Sequence, residues 1–302
     1  MLLVLCCFLA VTYLKIWPRC IPCIYDVRVR EILESELEDE EKIEALREFT
    51  RYFADLITPG ASTIVLATIG FRKVKELLGE EDIYKEFKEK SYQMALSVVE
   101  DVRKEALSKS GYEKFLFLVK ASIAGNILDP GAPLGRGPEN FLETVRGLKL
   151  ARDETRKLYE QLEKASKVTF LLDNAGEVVF DALLLEELKN MGLSLDIVAK
   201  SLPYQNDVTV EETRRIGLDK FGRILGTGSD AGGVIRGMVS EEVFKSMKEA
   251  DLVISKGMAN FESFLDEMPR ARIFVMLVAK CLPVAVAAGV KPGEAAAFFL
   301  RG

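Results

Sequence analysis

Histidine is absent from all 302 residues of this chain. That removes the commonest general base and the commonest transition-metal ligand together, so Ser-His-Asp and Cys-His catalysis are excluded. Hydrolytic chemistry here must rest on carboxylates, amides, lysines or a metal-bound water. Cysteine is sparse and odd in number, with five residues at 6, 7, 20, 23 and 281. A chain this long needs no disulfide staples, and the reducing cytosol is favoured. Positive charge is not in excess either: 41 Lys and Arg stand against 47 Asp and Glu, a net charge of −6, which gives no overall footprint for nucleic acid or an anionic membrane. A long apolar run is also missing. Residues 2 to 14 are apolar and followed by Lys15, but that is shorter than the roughly 20 residues that span a bilayer, and no basic leader or small-residue cleavage site accompanies it. A packed helix or an upstream misassigned start codon accounts for this stretch as well as an anchor does.

What is present is globular in composition, with 49% hydrophobic and 29% charged residues, enough for one large or two ordinary domains. Residues 1–19 are set apart as an apolar extension. From about Val27 to Leu162 apolar residues recur at three and four residue intervals, predicting helices almost throughout and no convincing strand. The segments are Glu31 to Ile57, Ile64 to Leu78, Asp82 to Ser108, Tyr112 to Ala124 and Phe141 to Leu162. A Gly- and Pro-rich stretch, 124–138, must be a loop, and loops of that length in compact domains are often functional. From Lys167 onward, short apolar strands alternate with helices. Candidate strands are 167–172, 194–199, 222–226, 251–255 and 272–278, with helices near 178–191, 209–216, 240–249 and 260–267. We therefore expect an α/β fold with a large helical N-terminal domain, 20–165, and a mainly parallel sheet flanked by helices in 166–302.

In such a sheet ligands bind outside the carboxyl ends of the strands, and the residues following each strand become candidates together. The first strand, Lys167-Val-Thr-Phe-Leu-Leu172, stops on Asp173-Asn174-Ala-Gly-Glu177. Two adjacent oxygen ligands, a Gly and then a Glu suit a hard divalent cation. The second strand leads to Lys200, Asn206 and Asp207, where Thr209 and Glu212 form a capping box opening a helix. The third leads to Gly226–Gly233, the fourth to Lys256, Asn260 and Glu262, and the fifth to Lys280. Each has a bland alternative. Asn206-Asp207 also reads as a helix lead-in, Gly226–Gly233 as a flexible connector, and Lys256 and Lys280 as solvated charges. Acidic residues in 31–48 and 76–90 are read as solvated helix faces. Cys20-Ile-Pro-Cys23 has zinc or redox spacing, but no second pair completes a site. Recurrence of oxygen ligands and lysines along one edge favours function.

Together these residues resemble the DUF89 family, metal-dependent phosphatases of the damage-control, ARMT1-like type. The resemblance rests on Asp173-Asn174-Ala-Gly-Glu177 with Asp181, on Lys200 and Pro203 before Asn206-Asp207-Val-Thr209, and on Ser255-Lys256-Gly257 leading to Asn260 and Glu262. It extends to Gly125-Asn126-Ile-Leu-Asp129 and to the Cys-x-x-Cys, typical of a branch containing archaeal proteins. It implies a helical domain on an α/β domain, metal ligation by Asp173, Asn174 and Asp207, and a substrate environment drawing on Asn126, Asp129, Lys200, Asn206, Asn260, Glu262 and Lys280. Catalytic roles would fall to Asp173, Asn174, Asp207, Glu177 and Lys256. The expected reaction is hydrolysis of small phosphate monoesters, such as sugar phosphates, damaged phosphometabolites or pantetheine phosphates, by water with Mn, Co, Ni or Mg in a cytoplasmic enzyme. An aspartyl-phosphate route through Asp173 stays open. Alternative expectations are S-adenosylmethionine-dependent protein carboxyl methylation, with Gly226–Gly233 holding the donor, and noncatalytic binding of a metal or metabolite.

Overall fold

The computed structural model describes residues 16–127 and 140–300. The apolar run 2–14, most of the Gly- and Pro-rich loop and Asp129 lie outside the described residues. Five helices come first: α1 (Cys20–Leu33), α2 (Asp39–Leu56), α3 (Thr63–Leu78), α4 (Lys85–Leu107) and α5 (Gly111–Ala124). Local chemistry sets their ends. A Glu38/Glu41 capping box opens α2, the Ser62 hydroxyl accepts from Val65 N–H at the start of α3, and Gly79 closes α3 at φ +67°, a left-handed conformation that glycine adopts without steric cost.

The expected helix from Phe141 to Leu162 is instead α6 (Phe141–Gly147), a strand β1 (Leu150–Asp153) and α7 (Thr155–Leu162). Leu150-Ala-Arg-Asp alternates in burial, and its backbone is claimed by a second strand that sequence did not signal, β7 (Ala295–Phe299). Tertiary pairing overrides local helical periodicity here. The remaining strands lie where the apolar runs place them: β2 (Lys167–Leu171), β3 (Ser194–Ala199), β4 (Arg223–Gly226), β5 (Leu252–Lys256) and β6 (Ile273–Val278). Between and after them run α8 (Val178–Asn190), α9 (Val210–Arg215), α10 (Glu241–Glu249), α11 (Met258–Asp266) and α12 (Leu282–Ala288).

The sheet order is β1-β7-β6-β5-β2-β3-β4, parallel except where β7 runs against β6. From β2 the chain moves outward through β3 to β4; it then returns to β5 on the other side of β2 and moves outward to β6. The order therefore reverses between β2 and β5, which pair from Val168↔Leu252 to Leu171↔Ser255. A crevice opens at the carboxyl ends of strands at such a switch point. One sheet face packs on α4 to α8 in a core that includes Phe115, Phe170 and Phe180. The other face packs on α10 to α12 around Phe261, Phe264 and Phe298. A smaller core around Ile32, Phe49 and Phe53 joins α1, α2 and α3. Among the described residues no helix is long and apolar enough to cross a membrane.

Candidate metal centre at the strand edge

Asp173 follows β2 after one residue, Leu172, and is buried at the switch point. It is pressed against β5's exit: a Cβ placed on Gly257, whose φ is +77°, would stand 2.1 Å from Asp173 Oδ2. Only a glycine fits there, both for its backbone angle and for the approach of the carboxylate. The loop after β3 is stitched to the same place. Val208 N–H donates to Asp173 O at 2.8 Å, Ala175 N–H donates to Asn206 O at 2.9 Å, and Asn174 and Asp207 form an antiparallel bridge. The Thr209/Glu212 capping box opens α9 as expected. Lys88 from α4 reaches Glu212 at 2.8 Å and Asp82 at 2.7 Å, tying that loop to the helical layer.

The charges are unequally served. A lysine ammonium has three donors, and two lysines here are fully engaged by protein. Lys256 Nζ lies 2.8 Å from Asp181 Oδ1, 3.1 Å from Ser122 O and 3.3 Å from Glu177 Oε1. Lys200 Nζ lies 2.6 Å from Ala231 O, 2.7 Å from Gly232 O and 3.3 Å from Asp207 Oδ2. Among the described residues Asp173 has no such partner. Its Oδ2 accepts from Asn174 Nδ2 at 3.0 Å and from Asn126 Nδ2 at 3.4 Å. Asn126 Nδ2 also donates to Glu177 Oε2 at 3.0 Å, and Asn174 N–H donates to Glu177 Oε1 at 3.3 Å.

Four buried carboxylates, Asp173, Glu177, Asp181 and Asp207, thus face two buried lysines. The electrostatic consequence is direct. Burial, then Glu177 and Asp207, pushes the Asp173 carboxyl well above its ordinary range. Burial raises Asp207 to about 6 despite Lys200, and raises Asp181 to about 6 despite Lys256. Burial alone would lower Lys256, but Asp181 and Glu177 hold it up. The cluster is short of positive charge, and a divalent cation would match the deficit. Among the described residues no three thiol or carboxylate residues form a metal cage by themselves. The expected donor set is a mixed one, the carboxylates of Asp173 and Asp207 with the amide oxygen of Asn174, and hard oxygen donors supplemented by water fit Mg and similar ions.

The structure therefore gathers Asp173, Asn174, Glu177, Asn126, Lys200, Asp207 and Lys256 at one edge, with Asn206 in the same loop. Asn260 lies beneath: its Nδ2 donates to Leu172 O at 3.2 Å and Lys256 O at 3.0 Å, locking the exits of β2 and β5 together. Lys280, two residues beyond β6, is exposed, and its charge lowers the Asp173 carboxyl. Glu262 does not join the cluster and instead lines a neighbouring cavity of about 820 Å³. Another hollow, of about 800 Å³ between α10 and residues 267–271, lies toward the amino ends of the strands.

Two supports were not foreseen. Ser122 donates to Asp181 Oδ1 at 2.5 Å, and the lone acid in the apolar segment Val178-Val-Phe-Asp181-Ala-Leu was its sequence signal. Glu31, read as a solvated face, is buried: it accepts from Arg28 at 2.7 Å and Tyr84 at 2.7 Å, and Gln205 lies close enough to act on its carboxyl. Gln205 has φ +44°, and such a conformation costs energy in a residue with a side chain. The α1 network holds this turn beside Asp207. The Gly226–Gly233 loop is no flexible connector. Ala231 is fully buried, Asp230 pairs with Arg72 at 2.7 Å and Lys75 at 2.9 Å, and Gly232 N–H donates to the Thr68 hydroxyl.

Against known proteins, the family model of the damage-control phosphatase ARMT1-like domain matches residues 16–296. The chain belongs to that family. A damage-control phosphatase of Archaeoglobus fulgidus is 34% identical over 291 residues, covering 93% of this chain and 98% of that protein. One from Pyrococcus horikoshii is 31% identical over 277 residues, covering 90% and 93%. The crystal structure of a DUF89 family protein from Pyrococcus horikoshii superposes with a TM-score of 0.87 at 30% identity, covering 95% of this chain and 99% of that one. This damage-control phosphatase family, its α/β fold and its helical layer agree with the resemblance drawn from the motifs.

Proposed function

We propose that the protein hydrolyses small phosphate monoesters with a divalent metal ion held by Asp173, Asn174 and Asp207. The observation that carries this reading is the unmatched negative charge at the switch point, where among the described residues Asp173 has no cation bonded to it while neighbouring lysines are saturated. The ion, when bound, supplies charge neutralisation for the phosphoryl oxygens and a water of lowered pKa. Oxygen ligands do not choose among Mn, Co, Ni and Mg.

The chain's own residues do the rest. Lys256 holds Glu177 and Asp181, and Lys200 holds Asp207, so both lysines act as positioning residues. Among the described residues Lys280 is the cation left to meet a phosphoryl oxygen. The amino ends of α8 and α11 open on the same crevice and favour an anion there. Asp207 or Glu177 orients the attacking water. Water attack is preferred to an aspartyl-phosphate because Asp173 is tied on Oδ2 and confined by Gly257.

The relatives' names, damage-control phosphatase, support a small phosphorylated metabolite as substrate; sugar phosphates and damaged cofactor intermediates are what the motif resemblance adds. The carboxyl methylation reading is disfavoured by the packed glycine loop. A Cβ on Gly232 would meet Tyr204 at 2.7 Å and one on Gly233 would meet Ala259 O at 2.6 Å, so these glycines serve close packing against the protein's own chain. The test is phosphate release from a panel of phosphomonoesters after chelation, with Mg, Mn, Co or Ni restored. Metal-dependent release that is lost in Asp173→Ala supports the proposal; no release with any metal, or full activity in Asp173→Ala, sinks it.

A further inference from the structure

Asp207 is delivered to the crevice by a turn that its own sequence does not favour. Tyr204-Gln-Asn-Asp207 closes on a hydrogen bond from Asp207 N–H to Tyr204 O at 3.0 Å, with Gln205 in the second position at φ +44°. Positive φ there belongs to the mirror-image turns that glycine, asparagine and aspartate favour. Among the described residues no other residue with a side chain has a positive φ. Such strain persists only where the surrounding structure over-determines the conformation. The turn matters to both proposed aspartate ligands, because Asn206 O accepts from Ala175 N–H at 2.9 Å, two residues past Asp173.

The constraint comes from α3, where Ile64, Thr68, Phe71 and Lys75 recur at steps of four, three and four residues and so share one face. Lys75 Nζ donates to Pro203 O at 3.2 Å, just ahead of the turn, and to Asp230 Oδ2 at 2.9 Å in the loop after β4. It also lies 5.4 Å from the centre of the Phe71 ring, and that ring meets Tyr204 edge-on at 5.2 Å. Gly232 closes on the same ring: a Cβ there would stand 2.7 Å from Tyr204 and 2.8 Å from Ile64, and its N–H donates to the Thr68 hydroxyl at 3.1 Å. Gly232 O in turn accepts from Lys200, the lysine beside Asp207. One helix face thus clamps the turn at Pro203 and Tyr204 and braces the loop that saturates Lys200. Lys75 ties the two loops together with a side chain only 15% exposed. Arg72, 41% exposed, bonds Asp230 from the same helix and, among the described residues, nothing in the turn.

Resting on the reading of Asp207 as a metal ligand, we propose that Lys75 is a positioning residue: from the helical layer it holds a strained turn so that Asp207 stands in place before a cation arrives. Calorimetric titration of Mn tests it. Lys75→Met, which keeps the packing of the stem on Phe71, should weaken binding about tenfold, the worth of one hydrogen bond from a charged donor. Lys75→Arg should bring affinity back within about threefold of wild type, and Arg72→Met should leave it within about twofold, because only the Pro203 bond matters to the turn. In a Gln205→Gly background, where the turn forms without strain, Lys75→Met should cost less than about threefold, so the two changes are coupled. Hydrogen exchange at the Asp207 amide of metal-free protein reads the turn separately from the metal. It should be about tenfold faster in Lys75→Met, with β2 and β5 unchanged. If the wild type binds no Mn, the ligand reading fails and the exchange rate alone decides whether Lys75 holds the turn. Unchanged exchange at Asp207, faster exchange throughout β2 and β5, or an equal loss of Mn affinity with and without Gln205→Gly overturns the proposal.

Discussion

Two buried aspartates on the same sheet, at opposite edges, have opposite fates. Asp196 sits near the amino end of β3 and is surrounded by partners. Arg223 bonds both its oxygens at 2.8 and 2.9 Å, Ser246 donates at 2.7 Å and Lys167 lies at 3.1 Å. Although burial works against ionisation, these partners bring its carboxyl down to about 2. Asp173, at the carboxyl edge, is left with two amide donors and two like charges, and is driven upward. Both are nearly closed to solvent, but Asp173 lies deeper and is less well served, which separates a group that holds the fold from one that we propose takes a cation.

Substituting each aspartate should break the comparison in opposite ways. Asp173→Ala is expected to lower phosphate release by a factor on the order of 10³, as loss of a charge-stabilising group does, with little loss of metal-free stability. Asp196→Ala should keep activity within severalfold and cost roughly 2–4 kcal/mol in chemical denaturation, because it strands buried partners; the largely exposed Arg223 brings the figure toward the lower end. Next in size is Gly257→Ala. Its methyl would displace the Asp173 carboxylate, and steady-state kinetics should show a loss of about 10²-fold, as misplacement on the order of 1 Å does, with circular dichroism unchanged.

The pH response sharpens the same contrast. Asp207 is raised from 3.8 to about 6, so the native state holds its proton more tightly than the unfolded chain. Its stabilising share is complete below about pH 4 and lost as pH rises through about 6. Glu262 does the same through about 8. Asp196 has the other sign: its share is present above its ordinary value and lost as pH falls through about 2, so it is flat between pH 5 and 8. In the metal-free protein these two groups together should therefore lose up to about 5 kcal/mol across that window, at about 1.4 kcal/mol per pKa unit, and added Mn should flatten the part owed to Asp207. Thermal melts at stepped pH, with and without metal, read this. Smallest is Asn260→Ala, which frees two backbone carbonyls and should cost about 1 kcal/mol with a modest fall in kcat.

The sequence made the active edge more legible than its supports. β2, β3, β5 and β6 are short apolar runs buried on both faces, so composition alone marks them, and the residues after each fall on one edge by topology. β1 and β7 carry no such mark: Leu-Ala-Arg-Asp and Ala-Ala-Ala-Phe-Phe become strands because they find each other. Acids in the helical layer were indistinguishable by pattern. Glu31 and Glu34 are both acids of one helical segment, yet Glu31 meets Arg28, Tyr84 and Gln205 from three elements. Lys256 and Lys200 were visible as charges at strand ends, but their saturation by Ser122, Asp181, Ala231 and Gly232 depends on chain segments far away in sequence.

Calorimetric titration of Mn into chelated protein, run on wild type, Asp173→Asn and Asp196→Asn, tests the central claim most directly. One ion per chain should bind the wild type and Asp196→Asn, release protons at and below about pH 6 where Asp207 is still protonated, and fail to bind Asp173→Asn. Equal binding by wild type and Asp173→Asn, or loss of binding in Asp196→Asn alone, would contradict it.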